Sequence, residues 1–304
     1  MDAFSDRMLN NGSADKYINR CYEALFSEEP YMTLKEYFDV YALYTVSKNE
    51  KIIAETALST SVTSAYGRYV LDYDIIESYI KRIPELKDDF TNIHTIVILN
   101  DSNNARENCT WTNYGSISCA RISDSENEFE HEAFERVIRH ETLGHGVGRL
   151  GDEYVESQGP PYNGNIPTDE ITRIKEKQTE GYYLNIDFTN NPQEVLWKDF
   201  LADSRYSAEE LGIYEGAMLY ALGVYRATEW NSIMLHNQGH FNAPSRWAIY
   251  KHIMDAAGET PTFDAFLEYD KKNLNTTDVV SARSVSEEPF DKRRLGAPPI
   301  FIRR

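Results

Sequence analysis

Apolar residues recur at helical spacing early in the chain and then give way to β-type runs. Over 14–27 (ADKYINRCYEALFS), Tyr17, Cys21 and Ala24/Leu25 share one helix face, and Ser13 is placed to cap the start. Residues 38–46 (FDVYALYTV) are aromatic and β-branched and predict a strand, and 72–84 predict an amphipathic helix that ends before Pro84. HTIVILND (94–101) is a short β-branched apolar run, the pattern of a buried strand, and 108–122 read as a hairpin or an irregular loop.

The following helix starts after the Ser123/Ser125 region and runs through HEAFERVIRHETLGHGVG, with Phe134, Val137 and Ile138 on its apolar face. Gly146, Gly148 and Gly151 break it. Residues 156–167 are expected to form a loop, a lid or a cleft rim, and helices are expected at 168–178 and 192–203. Residues 215–234 are glycine-interrupted and turn-rich. Residues 241–258 predict a helix with Asn242 as cap, Pro244 in the first turn and Gly258 as stop. The tail after 259 reads as short strands and charged turns. Strands near 40 and 96 separated by helices predict an α/β or α+β layer. With no linker or repeat, one domain over 1–304 is expected, and 259–304 as an extension packed on it.

Composition narrows the function classes. Forty-nine acidic residues against 31 basic ones give a net charge of −18, a surface that repels nucleic acid and anionic membranes. No run approaches the roughly 20 apolar residues of a membrane helix. The chain opens on polar MDAFSDRMLNNGS, so it is expected to be cytosolic, or to have an export signal upstream of it. Cys21 is expected on the buried face of its helix. Cys109 and Cys119 flank TWTNYGSIS, where a hairpin would bring them near each other. A bridge in an oxidising compartment and two free thiols are both open.

The candidate chemistry lies in RHETLGHGVGRLGDEY (139–154). Zinc hydrolysis needs neutral imidazoles, an open coordination position and a carboxylate to take a proton from water. H-E-x-x-H supplies this because residues four apart share a helix face. Here His140 and His145 are five apart, which in a regular α-helix displaces them by about 140°. A π-bulge absorbs the extra residue, and Gly144 tolerates it. The spacing therefore predicts a bulge between His140 and His145, with Glu141 beside the metal as general base. Gly148 can turn the chain so that Asp152 or Glu153 returns as an oxygen ligand. Asp152 is the first choice; the alternatives are a carboxylate fixing the glycine turn, or a partner of a histidine.

His145, Gly148, Leu150, Asp152, Glu153 and Tyr154 keep the register of H-x-x-G-x-L-x-D-E-Y, which resembles the signature of the IgA peptidase family of zinc metallopeptidases (metallopeptidase family sixty-four). The departure is one inserted residue before His145. The form HETLGH also resembles the H-E-x-x-G-H motif of dipeptidyl peptidase III enzymes, but their distant E-E-x-x-A-E/D motif is not found here. DAFSDRM, SEEPY (27–31), YEGAMLYALGVYR (214–226), NSIM (231–234) and FNAPSR (241–246) resemble further landmarks of the IgA peptidase family, so the resemblance spans most of the chain. It implies a zincin-like domain with a central sheet packed by helices, Zn2+ as cofactor, a peptide or protein substrate, and a secreted, periplasmic or cell-surface location.

Other candidates are less specific. Ser232-Ile233-Met234 reads either as a methionine turn beneath the metal or as core. Tyr225 and Arg226 could stabilise an oxyanion or serve packing and salt bridges. His240, or His236, could donate to a transition state or replace Asp152 as third ligand. Arg246 is placed to pair with a carboxylate. His94, His131 and His252 read as structural or surface residues, and Asn108 and Asn275 begin N-x-T sequons. The expected activity is zinc-dependent hydrolysis of peptide bonds. The competing readings are a non-catalytic binding protein on a peptidase scaffold and a zinc amidase of other specificity.

Overall fold

The computed structural model describes residues 1–52, 55–63, 67–86, 89–102, 105–123, 132–156, 160–236, 239–274 and 297–301. It is a mixed α/β structure with open sheets, divided into two compact units. One comprises Met1–Val147 with Arg293–Arg304, the other Gly148–Lys292.

In the first unit, β1 (Ser61–Val62) and β2 (Tyr69–Val70) form a small antiparallel pair. The main sheet contains β3 (Ile93–Leu99), β4 (Asn108–Trp111) and β5 (Gly115–Arg121) in the order β3-β5-β4, with Ala297–Phe301 outside β4. The pair β3–β5 is parallel and β4–β5 is antiparallel, so the hairpin reading of 108–122 holds. Side chains alternate between the faces of a strand. Val97, Leu99, Ile117 and Cys119 join a core with Ile76 and Ile80 of the Tyr73–Ile80 helix. Ile98 and Ala120 join a second core with Tyr17, Cys21 and Ala24 of the Ser13–Leu25 helix and with Phe134, Val137 and Ile138. Each face of the sheet thus carries a helix layer.

The same alternation settles the cysteines. Cys109 lies opposite Ser118, so the neighbouring Cys119 points to the other face, where β3 places Val97 opposite it. All three cysteines are free and buried, and no bridge joins Cys109 to Cys119. The mild support such a bridge would have lent to an oxidising location is therefore gone. Asn108 is buried, with its amide donating to the Tyr69 carbonyl at 2.8 Å, so its sequon is not presented at the surface.

The second unit carries β6 (Ile186–Asp187), β7 (Tyr214–Ala217) and β8 (Tyr220–Arg226) in the antiparallel order β6-β8-β7. Its helices include Thr168–Thr179, Lys198–Ala202, Ala243–Ala256 and Phe263–Leu274. Phe200, Tyr206, Trp247, Phe263 and Phe266 stack edge-on and tilted in its core. Asn242 caps the Ala243–Ala256 helix, its side chain accepting from Ser245 N–H, as its sequence position predicts.

Several expectations change. Residues 38–46 form no strand: Val40, Tyr41, Tyr44 and Val46 are exposed, and β-type composition without a ladder partner makes no sheet. Gly12, in a left-handed conformation, precedes the first long helix, so Ser13 is its first residue and not its cap. Only Lys198–Ala202 is α-helical within 192–203. The segment after 259 begins with a helix instead of strands, Phe263–Leu274, which buries Phe266 and Asp270. Among its described residues, the strand β9 (Ala297–Phe301) pairs parallel with β4. The helix expected from the Ser123/Ser125 region starts at Ala133, and His131 and Asn275 lie outside the described residues.

Candidate metal centre

The Ala133–Val137 α-helix runs directly into a π-helix, Ile138–Val147, that carries HETLGH. The five-residue spacing predicts a local bulge; the observed π geometry covers ten residues. A π-helix is rare and normally a single turn, so its surroundings must favour it. β5 presents only small side chains to it. Ser118 Oγ lies 2.7 Å from Thr142 Oγ1, and a Cβ on Gly146 would stand 2.6 Å from Ser116 Oγ. Gly146 is therefore required for close approach to the sheet. Two carbonyls late in the helix accept from outside it: Tyr31 Oη donates to Leu143 O at 2.6 Å, and Trp111 Nε1 to His145 O at 2.7 Å.

In this geometry the His140 and His145 rings come together, with centroids 4.7 Å apart and planes at 83°. Glu141, next to His140, is buried with them. Trp111 also meets the His145 ring edge-on, with centroids 6.4 Å apart. Burial holds the Cys109 and Cys119 thiols well above their ordinary range, and the Glu141 charge adds to the effect.

After the helix the chain turns at Gly148 and Arg149. The left-handed residue is Arg149 (φ 53°), whose carbonyl accepts from Tyr183 N–H at 2.7 Å. The next segment is fixed from three directions. Asn185 accepts from Gly151 N–H at 2.7 Å and donates to Gly151 O at 2.9 Å. Met218 N–H donates to Asp152 O at 2.8 Å, and Leu219 N–H to Tyr154 O at 3.0 Å. Glu153 N–H donates to Met234 O at 2.9 Å. Met218 and Leu219 form the β7–β8 turn with φ of 48° and 72°, a strained left-handed pair without glycine. Met234 is fully buried and supports the carboxylate segment through its carbonyl.

The adjacent carboxylates diverge. Asp152 joins the histidines: one ligand atom each from His140, His145 and Asp152 lie within 4.8 Å of one another, and all three residues are buried. Two imidazoles and one carboxylate are the donor set of a three-ligand zinc site, whose bonds are about 2.0–2.2 Å. The residues fit such an ion, and the set is local, within one stretch of chain. Glu153 turns to Asn185 Nδ2 at 2.9 Å and to Asn242 Nδ2 at 3.4 Å. Burial raises its carboxyl above the usual carboxylate range, against the bonds from Asn185 and Ser232.

The remaining candidates sit elsewhere in the second unit. Arg226 donates to the carbonyls of Glu215 (3.0 Å), Gly216, Thr228 (3.0 Å) and Glu229 (3.2 Å), so it staples backbone. Tyr225, on β8, lies opposite Glu215, and its phenol is raised by desolvation and by that carboxylate. His240 offers its carbonyl to Ile233 N–H at 3.2 Å, and His236 stacks on exposed Trp230 at 5.5 Å. Neither joins the three-residue ligand group. Arg246 finds carboxylates as expected, Asp270 and Glu209. Tyr31, Trp111 and Asn185 bond backbone groups of this segment and carry no local sequence signal, because their partners lie far along the chain.

No curated protein matches the chain. The model of the IgA peptidase M64 family matches residues 12–206, which hold the π-helix and Asp152, while Tyr225, Arg226 and His240 lie beyond the match. Because that match covers well over half of the sequence, the chain belongs to the IgA peptidase M64 family.

Proposed function

We propose that the protein is a zinc-dependent peptidase in which His140, His145 and Asp152 hold the metal and Glu141 is the general base. Membership of a peptidase family supports a peptide substrate. The observation that carries the metal assignment is the convergence of two imidazoles and a carboxylate within 4.8 Å. A zinc ion bound there supplies Lewis acidity, lowering the pKa of water and polarising a carbonyl. Glu141 accepts the proton of the attacking water and returns it to the leaving amine. Its burial strengthens that exchange, because a low-dielectric site weakens competition from bulk water. An extracytoplasmic site of action remains part of the proposal through the family resemblance alone.

Metal analysis of the purified protein tests the first half: about one zinc per chain is expected, lost when His140 and His145 are both replaced by alanine. Absence of stoichiometric metal with no uptake from added zinc sinks the proposal. Glu141→Gln tests the second half. It should keep the metal while peptide cleavage, followed by mass spectrometry on a peptide library with a chelator control, falls by about 100-fold or more. Undiminished cleavage would remove Glu141 from its role. Cleavage of small amides but of no peptide would move the assignment to an amidase.

A further inference from the structure

The pairing of His140 with His145 depends on a helix register that the sequence does not enforce by itself. In α geometry the two residues diverge by about 140°. The segment has two registers to choose from, and the α register is intrinsically the commoner one.

Three contacts from outside the helix bracket Gly144. Thr142 Oγ1 meets Ser118 Oγ at 2.7 Å, Leu143 O accepts from Tyr31 at 2.6 Å, and His145 O accepts from Trp111 at 2.7 Å. Both carbonyl donors are buried, Tyr31 at 0% and Trp111 at 1% exposure. Each is anchored independently of the helix. Tyr31 packs against Phe38 with centroids 6.0 Å apart, and Trp111 sits on β4 against Phe301 at 4.6 Å. A helix runs out of its own N–H partners for its closing carbonyls, so external donors are most effective there. A change of one residue in register rotates a carbonyl by about 100°, taking it off a fixed buried donor. An unmade bond at a buried polar group is costly. The two bonds therefore favour one register over the other, and it is the register that brings the rings to 4.7 Å.

We propose that Tyr31 and Trp111 are positioning residues that lock the π register of 138–147 and so hold His145 on the same face as His140. The inference rests on the reading that these histidines bind zinc.

The test is zinc affinity, measured by competition with a chromogenic chelator on the full chain. Tyr31→Phe and Trp111→Phe each remove one donor and keep a ring. Each should weaken zinc binding by about tenfold or more, the scale seen when groups supporting a ligand are lost. Tyr69→Phe is the control: it removes a buried phenol that bonds Asp101 at 2.9 Å in the same unit, and should lower stability while leaving zinc affinity within about twofold. If Tyr31→Phe and Trp111→Phe move zinc affinity no more than the control does, the register lock is overturned.

A second background separates register from packing. Deleting Gly144 gives His-Glu-Thr-Leu-His, in which a plain α-helix aligns the ligands. There Tyr31→Phe should cost under about twofold in zinc affinity. An equal loss in both backgrounds overturns the proposal. Should the deletion not fold, amide exchange over 138–150 in the metal-free protein decides: Tyr31→Phe should accelerate it there more than elsewhere, and unchanged exchange counts against the lock. Wild-type protein that binds no zinc refutes the metal reading instead, while the exchange measurement still reports on the register.

Discussion

Asn185 holds Gly151 with both ends of its side-chain amide, accepting from the backbone N–H at 2.7 Å and donating to the carbonyl at 2.9 Å. The same Nδ2 reaches Glu153 Oε1 at 2.9 Å, so both neighbours of Asp152 are fixed by one residue that does not bond Asp152 itself. Asn185→Leu is close in volume and leaves three buried groups short of a partner. It should destabilise the protein by about 2–4 kcal/mol in urea unfolding and weaken zinc binding by about 10-fold or more. Asn185→Asp should be worse at neutral pH than at pH 5, because it sets a second carboxylate against buried Glu153. Zinc affinity unchanged in a folded Asn185→Leu protein would show that the Gly151–Glu153 segment is fixed without it.

Gly146 and Ser116 make a second coupled pair. A Cβ at Gly146 would meet Ser116 Oγ at 2.6 Å, and Ser116 is held in place by His94 Nδ1 at 2.9 Å. Gly146→Ala should cost about 1–3 kcal/mol, the scale of overpacking. Ser116→Gly opens the space, so the double variant should recover much of that loss in a double-mutant cycle. Additive losses would mean that the helix does not press on β5 at this point.

The candidate site is legible in the sequence because it is local. His140, Glu141, His145 and Asp152 lie in one stretch, and a spacing of five leaves π geometry as the way to align the two histidines on one helix. Its length was not legible: ten π residues depend on small side chains of β5 and on donors 34 and 112 positions away along the chain. Asn185 acts on backbone groups, which any residue would present, so no local pattern marks it. Residues 38–46 show the converse failure, with strand-like composition but no neighbouring ladder. Over 263–274, Phe263, Phe266 and Asp270 follow a helical period, but interspersed charges and the low apolar content made the segment look like turns.

His252 sets a pH dependence. Burial, with Arg149 nearby, lowers its pKa to about 4 against the bond to the Gly181 carbonyl. The ordinary value is about 6.5. Between these limits the unfolded chain takes up a proton that the folded chain refuses, so this contribution to stability falls as pH drops from about 6.5 to about 4. His252→Gln keeps a donor for Gly181 and removes the titration. Wild type should lose on the order of 1–2 kcal/mol more than the variant between pH 7 and pH 4.5, by urea unfolding at both. Equal losses would show that His252 is free to protonate in the folded state.

Arg246 is buried in the same unit. Its guanidinium forks onto Asp270, with Nε to Oδ1 at 2.8 Å and Nη2 to Oδ2 at 2.7 Å, and also reaches Glu209 and the Phe241 carbonyl. Asp270 is wholly buried, so Arg246→Met strands a carboxylate away from water and should cost about 3–5 kcal/mol. Arg246→Lys keeps the charge but not the fork, and should fall between wild type and Met. Adding Asp270→Asn to Arg246→Met removes the stranded charge and should return part of the loss. If the double variant is no more stable than Arg246→Met, the cost lies in the lost packing and carbonyl bond of Arg246 and not in an unpaired Asp270.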